Sequence, residues 1–302
     1  MDALAFEPYT FEDGLQISLR KRYPDADISI FDVSKNNGVK LRALTIKKQN
    51  SNITPSIYID GFRERYERTH DMDEICEKIV EINENRSVEN LDINMLRCFD
   101  KAKERICAKL INREKNTEML AEIPHRDFLD LAVVYYISIE VCDGTASLLI
   151  HNELVESWNV DEEELYNIAI KNMPKLLPVG VKSLFQVVSG MVDDTGVDID
   201  EAIQGISESM YVVTNELKTF GAAVLLYPEF LKQMADHVQS SFYIIPSSIH
   251  EVIVVLDTDE LIDAEGLLEM VKHVNESVVT EELLADNVYY YDRESDKIKA
   301  LF

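Results

Sequence analysis

The sequence predicts an α+β protein, with an N-terminal helix–three-strand–helix unit followed by a larger mixed α+β part. Three observations predict it. Apolar residues recur at helical spacing in some segments and alternate with polar residues in others. Turn signals built from Asn, Asp, Gly and Pro separate those segments. Hydrophobic residues make up 46% of the 302 residues, enough to bury a sizeable core.

The elements follow in order. Phe11, Leu15 and Leu19 share one helical face, Thr10 is a suitable N-cap, and Pro24 follows the last turn. Residues 27–33 alternate as a half-buried strand, Lys35-Asn36-Asn37-Gly38 is a turn signal, and Val39 to Lys48 is the return strand. The exposed side of that return strand is basic (Lys40, Arg42, Lys47, Lys48). Ser56 to Ile59 reads as a third strand. Asp71 with Glu74 forms a capping-box pattern ahead of a helix striped by Ile75, Ile79 and Ile82. Residues 1–87 form this first unit, and residues 88–117 read as a charged connector that ends in a short strand at Ile106 to Ile111.

Residues 118–302 form the acidic α+β domain. Leu131 to Ile139, Ala146 to Ile150, Met210 to Thr214, Ala222 to Tyr227, Phe242 to Ile245, Glu251 to Leu256 and Asn287 to Tyr291 read as strands. Helices are expected near Asn152 to Trp158, Asp161 to Asn172 (ended by Pro174 and Pro178), after Pro228, and over Gly266 to Asn275. Gly144, Ala146, Leu148, Leu149 and Leu154 match Gly221, Ala223, Leu225, Leu226 and Leu231 at a constant offset of 77 residues. The match reads as a duplicated strand–turn–strand–helix unit, although hairpins of this kind share a Gly and a few Leu without duplication.

Charge divides the chain sharply. Residues 1–117 carry 20 Lys and Arg against 21 Asp and Glu; residues 118–302 carry 10 against 35, so nearly all of the net charge of −26 lies in the second part. Such a segment repels phosphate backbones and anionic membranes, so direct nucleic-acid or membrane binding is not expected. A basic protein partner, mimicry of nucleic acid, or solubility alone is compatible with it. Residues Met1 to Glu7 lack a basic region followed by an apolar run, and the apolar stretches are too short to span a bilayer. The four cysteines, Cys76, Cys98, Cys107 and Cys142, form no CxxC pair and read as reduced thiols of a cytoplasmic protein.

No metal, cofactor or nucleotide signature is complete, so no cofactor is expected. The six histidines match no HExxH or HxH spacing. Ile123-Pro124-His125-Arg126-Asp127 has letters of a kinase catalytic loop without its companions, and Val179-Gly180-Val181-Lys182-Ser183 lacks the first glycine of a P-loop. Asp257-Thr258-Asp259-Glu260 has Ile262 where a calcium loop needs glycine, and Asp193 to Asp200 reads as an acidic loop leading into an N-cap.

Phe62 to Arg68 mixes charges as an exposed helix does. The most suggestive catalytic grouping is Ser247, Ser248, His250 and Glu251: hydroxyls, an imidazole and a carboxylate in one turn. A Ser–His–acid relay needs those types; a serine-rich turn with a surface His and Glu has the same letters. Asn215 and Lys218, in the loop Thr214 to Gly221, and His125 are candidate ligand-binding residues.

Several strings carry a resemblance. Met210 to Asn215, Gly221 to Pro228, Ile245 to Glu251, Lys109 to Asn112, Ile123-Pro124-His125, Phe128 to Tyr135 and Tyr289 to Arg293 resemble a domain-of-unknown-function family of hypothetical proteins from gut clostridia and their relatives. A fainter similarity of layout links the chain to a hypothetical-protein family of bacilli. The resemblance implies a bacterial cytoplasmic protein and carries over no functional residues. The reading is a non-enzymatic binding or regulatory protein, with a hydrolase using the Ser-Ser-Ile-His-Glu turn and an acidic nucleic-acid mimic as the alternatives. The oligomeric state is not legible.

Overall fold

The computed structural model describes residues 10–49, 54–85, 97–141, 144–184, 186–187, 209–258 and 263–302. Among them are thirteen strands in three antiparallel sheets, with helices on the flanks, so the α+β class holds. By its contacts the chain divides into two compact units. One comprises Met1–Lys35, Val39–Leu96 and Val141–Gly144; the other comprises Asn36–Gly38, Arg97–Glu140 and Thr145–Phe302.

In the first unit, α1 (Phe11–Arg22) starts from a full capping box. The Thr10 hydroxyl takes the Asp13 N–H at 3.2 Å, and the Asp13 carboxylate takes the Thr10 N–H at 3.1 Å. β1 (Asp27–Ser34), β2 (Lys40–Lys47) and β3 (Ile57–Tyr58) form the three-stranded sheet in that order. Asn37 and Gly38 adopt positive φ between the first two, as the turn signal requires. Two further helices, α2 (Asp60–Thr69) and α3 (Met72–Asn85), complete the unit. Asp71 caps α3 through the Glu74 N–H at 3.0 Å. Leu15 and Leu19 of α1, Ile75 and Ile79 of α3, and Ile28, Leu44 and Ile57 of the sheet meet in one core. The mixed charges of α2 pair with its neighbours rather than within it: Arg63 with Glu12, and Arg65 with Glu74.

The second unit has two sheets. One is built on β6 (Leu131–Val141), which pairs β4 (Ile106–Asn112), β5 (His125–Phe128) and β7 (Gly144–Leu149). Two short helices, α4 (Phe99–Ala102) and α5 (Thr117–Leu120), flank β4 in sequence. After β7 come α6 (Asn152–Trp158) and α7 (Glu162–Leu176). The helix α7 lies against β4; Asn172 donates to the carbonyls of Lys103 and Ile106 at 2.7 and 2.9 Å.

The other sheet has six strands in the order β13-β12-β10-β11-β9-β8: β8 (Val179–Ser183), β9 (Met210–Asn215), β10 (Phe242–Ser248), β11 (Glu251–Leu256), β12 (Tyr289–Asp292) and β13 (Lys297–Ala300). α8 (Phe230–Val238) precedes β10 in sequence. α9 (Ala264–Asn275), capped by Asp263, sets Leu267 and Val271 against Met210, Ile245, Val255 and Val288.

Three expectations are corrected. Gly221–Leu226 is a buried 3-10 segment rather than a strand. A continuous apolar run has no period that separates a buried strand from a buried turn of helix. The 77-residue repeat therefore has no structural counterpart, because Gly144–Leu149 is the strand β7. Pro174 does not end α7, which runs through it to Leu176; a proline this close to the C-terminus removes one ladder bond and leaves the last turn standing. The acidic stretch Asp193 to Asp200, Cys142, and the end of the Asp257 to Glu260 motif lie outside the described residues.

Candidate functional site

The site grows from the strand order. Antiparallel pairing sets Gly180 opposite Thr214 and Lys182 opposite Val212. On the far side of β9, Val213 pairs Val252, which brings Glu251 onto the face of Thr214. Side chains alternate across a strand, so Gly180, Lys182, Val212, Thr214 and Glu251 share one face, and Val179, Val181 and Tyr211 share the other. A cleft opens on each face. The first, ≈ 630 Å³, is lined by Gly180, Lys182, Thr214, Glu216, Lys218 and Glu251, among others. The second, ≈ 670 Å³, has Val181, Tyr211, Tyr227, Phe230 and Met234 in its walls and His237 among its polar groups.

The loop after β9 contributes Asn215, Glu216 and Lys218 to the wall of the first cleft and is held tightly. Asn215 is buried, and its side chain closes on Thr219 twice: Nδ2 donates to the Thr219 carbonyl at 2.7 Å, and Oδ1 accepts the Thr219 N–H at 3.3 Å. Lys218 and Phe220 both take positive φ, 51° and 53°, an uncommon conformation for side chains of their size. Gly221 closes the loop. A Cβ there would run into Thr214 Oγ1 and the His250 carbonyl and stand 2.9 Å from Asn215 N, so only glycine fits.

His250 supplies the support. Its Nδ1 accepts the Phe220 N–H at 3.1 Å, its carbonyl accepts the Thr214 hydroxyl at 2.7 Å, and its ring stacks on Phe220 with centroids 5.7 Å apart. Phe220 also meets Tyr136 edge-on at 5.2 Å and carries the Lys109 ammonium 4.5 Å from its ring centre. Because Nδ1 is an acceptor, the proton of the neutral ring sits on Nε2, which faces the Glu282 carboxylate at 3.9 Å. Ser248 Oγ accepts the His250 backbone N–H at 3.1 Å. Glu251 faces the cleft. Ser247 is half-buried in the irregular stretch of β10 between Ile245 and Ser248, where Pro246 has no N–H for the ladder.

Of the sequence-selected residues, Glu251, Asn215 and Lys218 meet in the first cleft, and His250 braces the loop above it. His125 is exposed on β5, its Nδ1 3.0 Å from the Ile123 carbonyl, and is not part of the cleft wall. Reading from sequence passed over Gly180, Lys182 and Glu216. The first two sit in the failed P-loop string, and strand alternation in Val179-Gly180-Val181-Lys182-Ser183 was the signal available. Phe220 and Glu282 carried no local signal, since their partner lies elsewhere in the chain.

The second unit also holds buried titratable groups. Burial pushes the Cys107 thiol up to about 12, against a smaller opposing effect of its hydrogen bond to Tyr136. Burial likewise raises Tyr136 and Tyr227. Arg126 forks onto Glu162 with both contacts at 2.8 Å and lies 3.7 Å from the centre of the Tyr166 ring; the Tyr135 hydroxyl donates to the same carboxylate. Among the described residues no group of three or more His, Cys, Asp or Glu side chains could hold a metal ion. No helix among them is long and apolar enough to cross a membrane.

No curated protein and no solved structure matches the chain. A family model does, over residues 9–293, and its description is a family of unknown function, DUF5688. That span takes in both units and both walls of the cleft, and the chain belongs to this family.

Proposed function

We propose that this chain is a non-enzymatic binding protein whose ligand seat is the cleft beneath the Asn215–Phe220 loop. The observation that carries the reading is the engagement of His250. The imidazole nitrogen that accepts a hydrogen bond already takes the Phe220 N–H, and the Ser248 hydroxyl oxygen accepts the His250 backbone N–H. A relay needs a ring nitrogen that accepts from the nucleophile and a second that donates to an acid. Here the ring stabilises a loop held in uncommon backbone conformations over an open cleft, which is how binding loops are organised in advance. The free thiols of Cys76, Cys98 and Cys107 support a cytoplasmic setting.

The test is a screen of small polar compounds against the full chain by thermal shift, with binders mapped on amide NMR spectra. Ligands that raise the unfolding temperature and move the Gly180, Thr214 and Lys218 amides support the reading. A screen in which no compound moves those amides, or a turnover that disappears in His250→Ala without loss of fold, overturns it.

A second reading rests on charge. The excess of 35 acidic over 10 basic residues in 118–302 favours a basic protein partner held by long-range attraction. Such a contact weakens as salt rises and the screening length falls to about 3 Å at 1 M. Retention of polylysine on the immobilised chain that persists unchanged at 1 M salt argues against it.

A further inference from the structure

We infer that the cleft beneath the loop takes a small zwitterion, a peptide of two or three residues with both termini ionised; this rests on the ligand-binding reading above. Four ionisable groups line the cleft, and they balance: Lys182 and Lys218 against Glu216 and Glu251. That balance is out of keeping with the surroundings. Residues 118–302 have only 10 Lys and Arg, and two of those ten are gathered here. Among the described residues none of the four has an ion-pair partner, although both signs share one cleft.

Sheet geometry explains why Lys182 and Glu251 do not neutralise each other. Lys182 stands beside Val212, and Glu251 falls beside Thr214, two residues further along and two strands across from Lys182. With strands about 4.8 Å apart and about 3.3 Å per residue, their Cα atoms are about 12 Å apart. Between them the floor is low: Gly180 has no side chain, and the Thr214 hydroxyl is turned to the His250 carbonyl.

A single anion would meet the carboxylates, and a single cation would meet the ammonium groups. A molecule with an ammonium at one end and a carboxylate at the other satisfies both, with Glu251 taking the amine and Lys182 the acid. With side chains that stand off the sheet from backbone positions that far apart, the charges suit the termini of a di- or tripeptide better than those of one amino acid, and a cleft of ≈ 630 Å³ has room for the side chains.

The experiment uses the full chain with dialanine and trialanine, followed by titration calorimetry and amide NMR. Each peptide is compared with its N-acetylated and C-amidated forms, and inorganic phosphate and free alanine serve as single-charge and short-span controls. The expected result is binding of the uncapped peptides and a loss of about tenfold or more on capping either end, the loss of about one well-placed charge contact. Lys182→Gln then removes the penalty for amidation, and Glu251→Gln removes the penalty for acetylation, with the unfolding temperature of each variant confirming its fold. Equal binding of capped and uncapped peptides overturns the inference, as does phosphate binding more tightly than trialanine. Absence of peptide binding, when other compounds still move the Gly180 and Lys218 amides, overturns the zwitterion while leaving the ligand cleft in place. Failure of every compound removes both.

Discussion

Phe220 and His250 are joined at two levels: the backbone N–H of Phe220 reaches Nδ1 of His250 at 3.1 Å, and the two rings lie stacked 13° from parallel. The pair fixes a left-handed residue at the end of the loop that lines the cleft.

His250→Ala is expected to destabilise the protein by about 2–4 kcal/mol, because it strands the Phe220 N–H and removes the stack. His250→Phe restores the stack but not the acceptor, and should recover less than half of the loss. Urea unfolding of the three proteins separates the contributions; equal stability of wild type and His250→Ala would show that the loop does not depend on this residue.

Gly221→Ala places a methyl group against Thr214 Oγ1 and the His250 carbonyl. Backbone cannot give way as a flexible side chain would, so a loss of about 3 kcal/mol or more is expected from overpacking. The unfolding midpoint reports it, and an unchanged midpoint contradicts the closeness of the loop to the β10–β11 turn.

Arg126 binds Glu162 through two parallel hydrogen bonds and covers the Tyr166 ring. Arg126→Lys keeps the charge and loses the fork and the stacking, so it should lower stability by about 1 kcal/mol. A double-mutant cycle with Glu162→Gln should give a coupling of about the same size. Both side chains are roughly one-third exposed, which keeps this figure modest.

Cys107 makes alkaline stability fall. Its thiol has an ordinary value of 9.0 and is raised to about 12 in the folded state, so between those values the folded chain keeps a proton that the unfolded chain has released. Stability from this group is complete below pH 9 and declines above it by up to about 1.4 kcal/mol per pH unit. Chemical denaturation from pH 8 to 11 should show a shallower decline in Cys107→Ala. At pH 8, a thiol reagent should modify exposed Cys98 in the native protein and leave buried Cys76 and Cys107 untouched.

Much of the framework could be read residue by residue. Thr10 and Asp71 cap where their spacing says they should, and Asn37 and Gly38 turn as their left-handed tolerance allows. Phe242 to Ile245 and Glu251 to Leu256 pair as expected. These are local signals, settled within a few residues.

The failures were not local. Gly221–Leu226 has no polar residue to reveal a period, and it is buried against packing that leaves no room for a Cβ at Gly221. His250 has Ser and Glu as neighbours in sequence, letters shared by a relay and by a serine-rich turn, yet its ring partner is Phe220, thirty residues earlier. Glu251 and Lys218 stand out within their own turns, but Lys182 enters the same cleft only through strand register, which a sequence does not print.

Strand β8 serves as a partition. Val179 and Val181 wall one compartment, Gly180 and Lys182 wall the other, and one thickness of backbone separates them. Exchanging adjacent residues along β8 therefore redecorates alternate rooms, and the two interiors can diverge in shape through neighbouring codons.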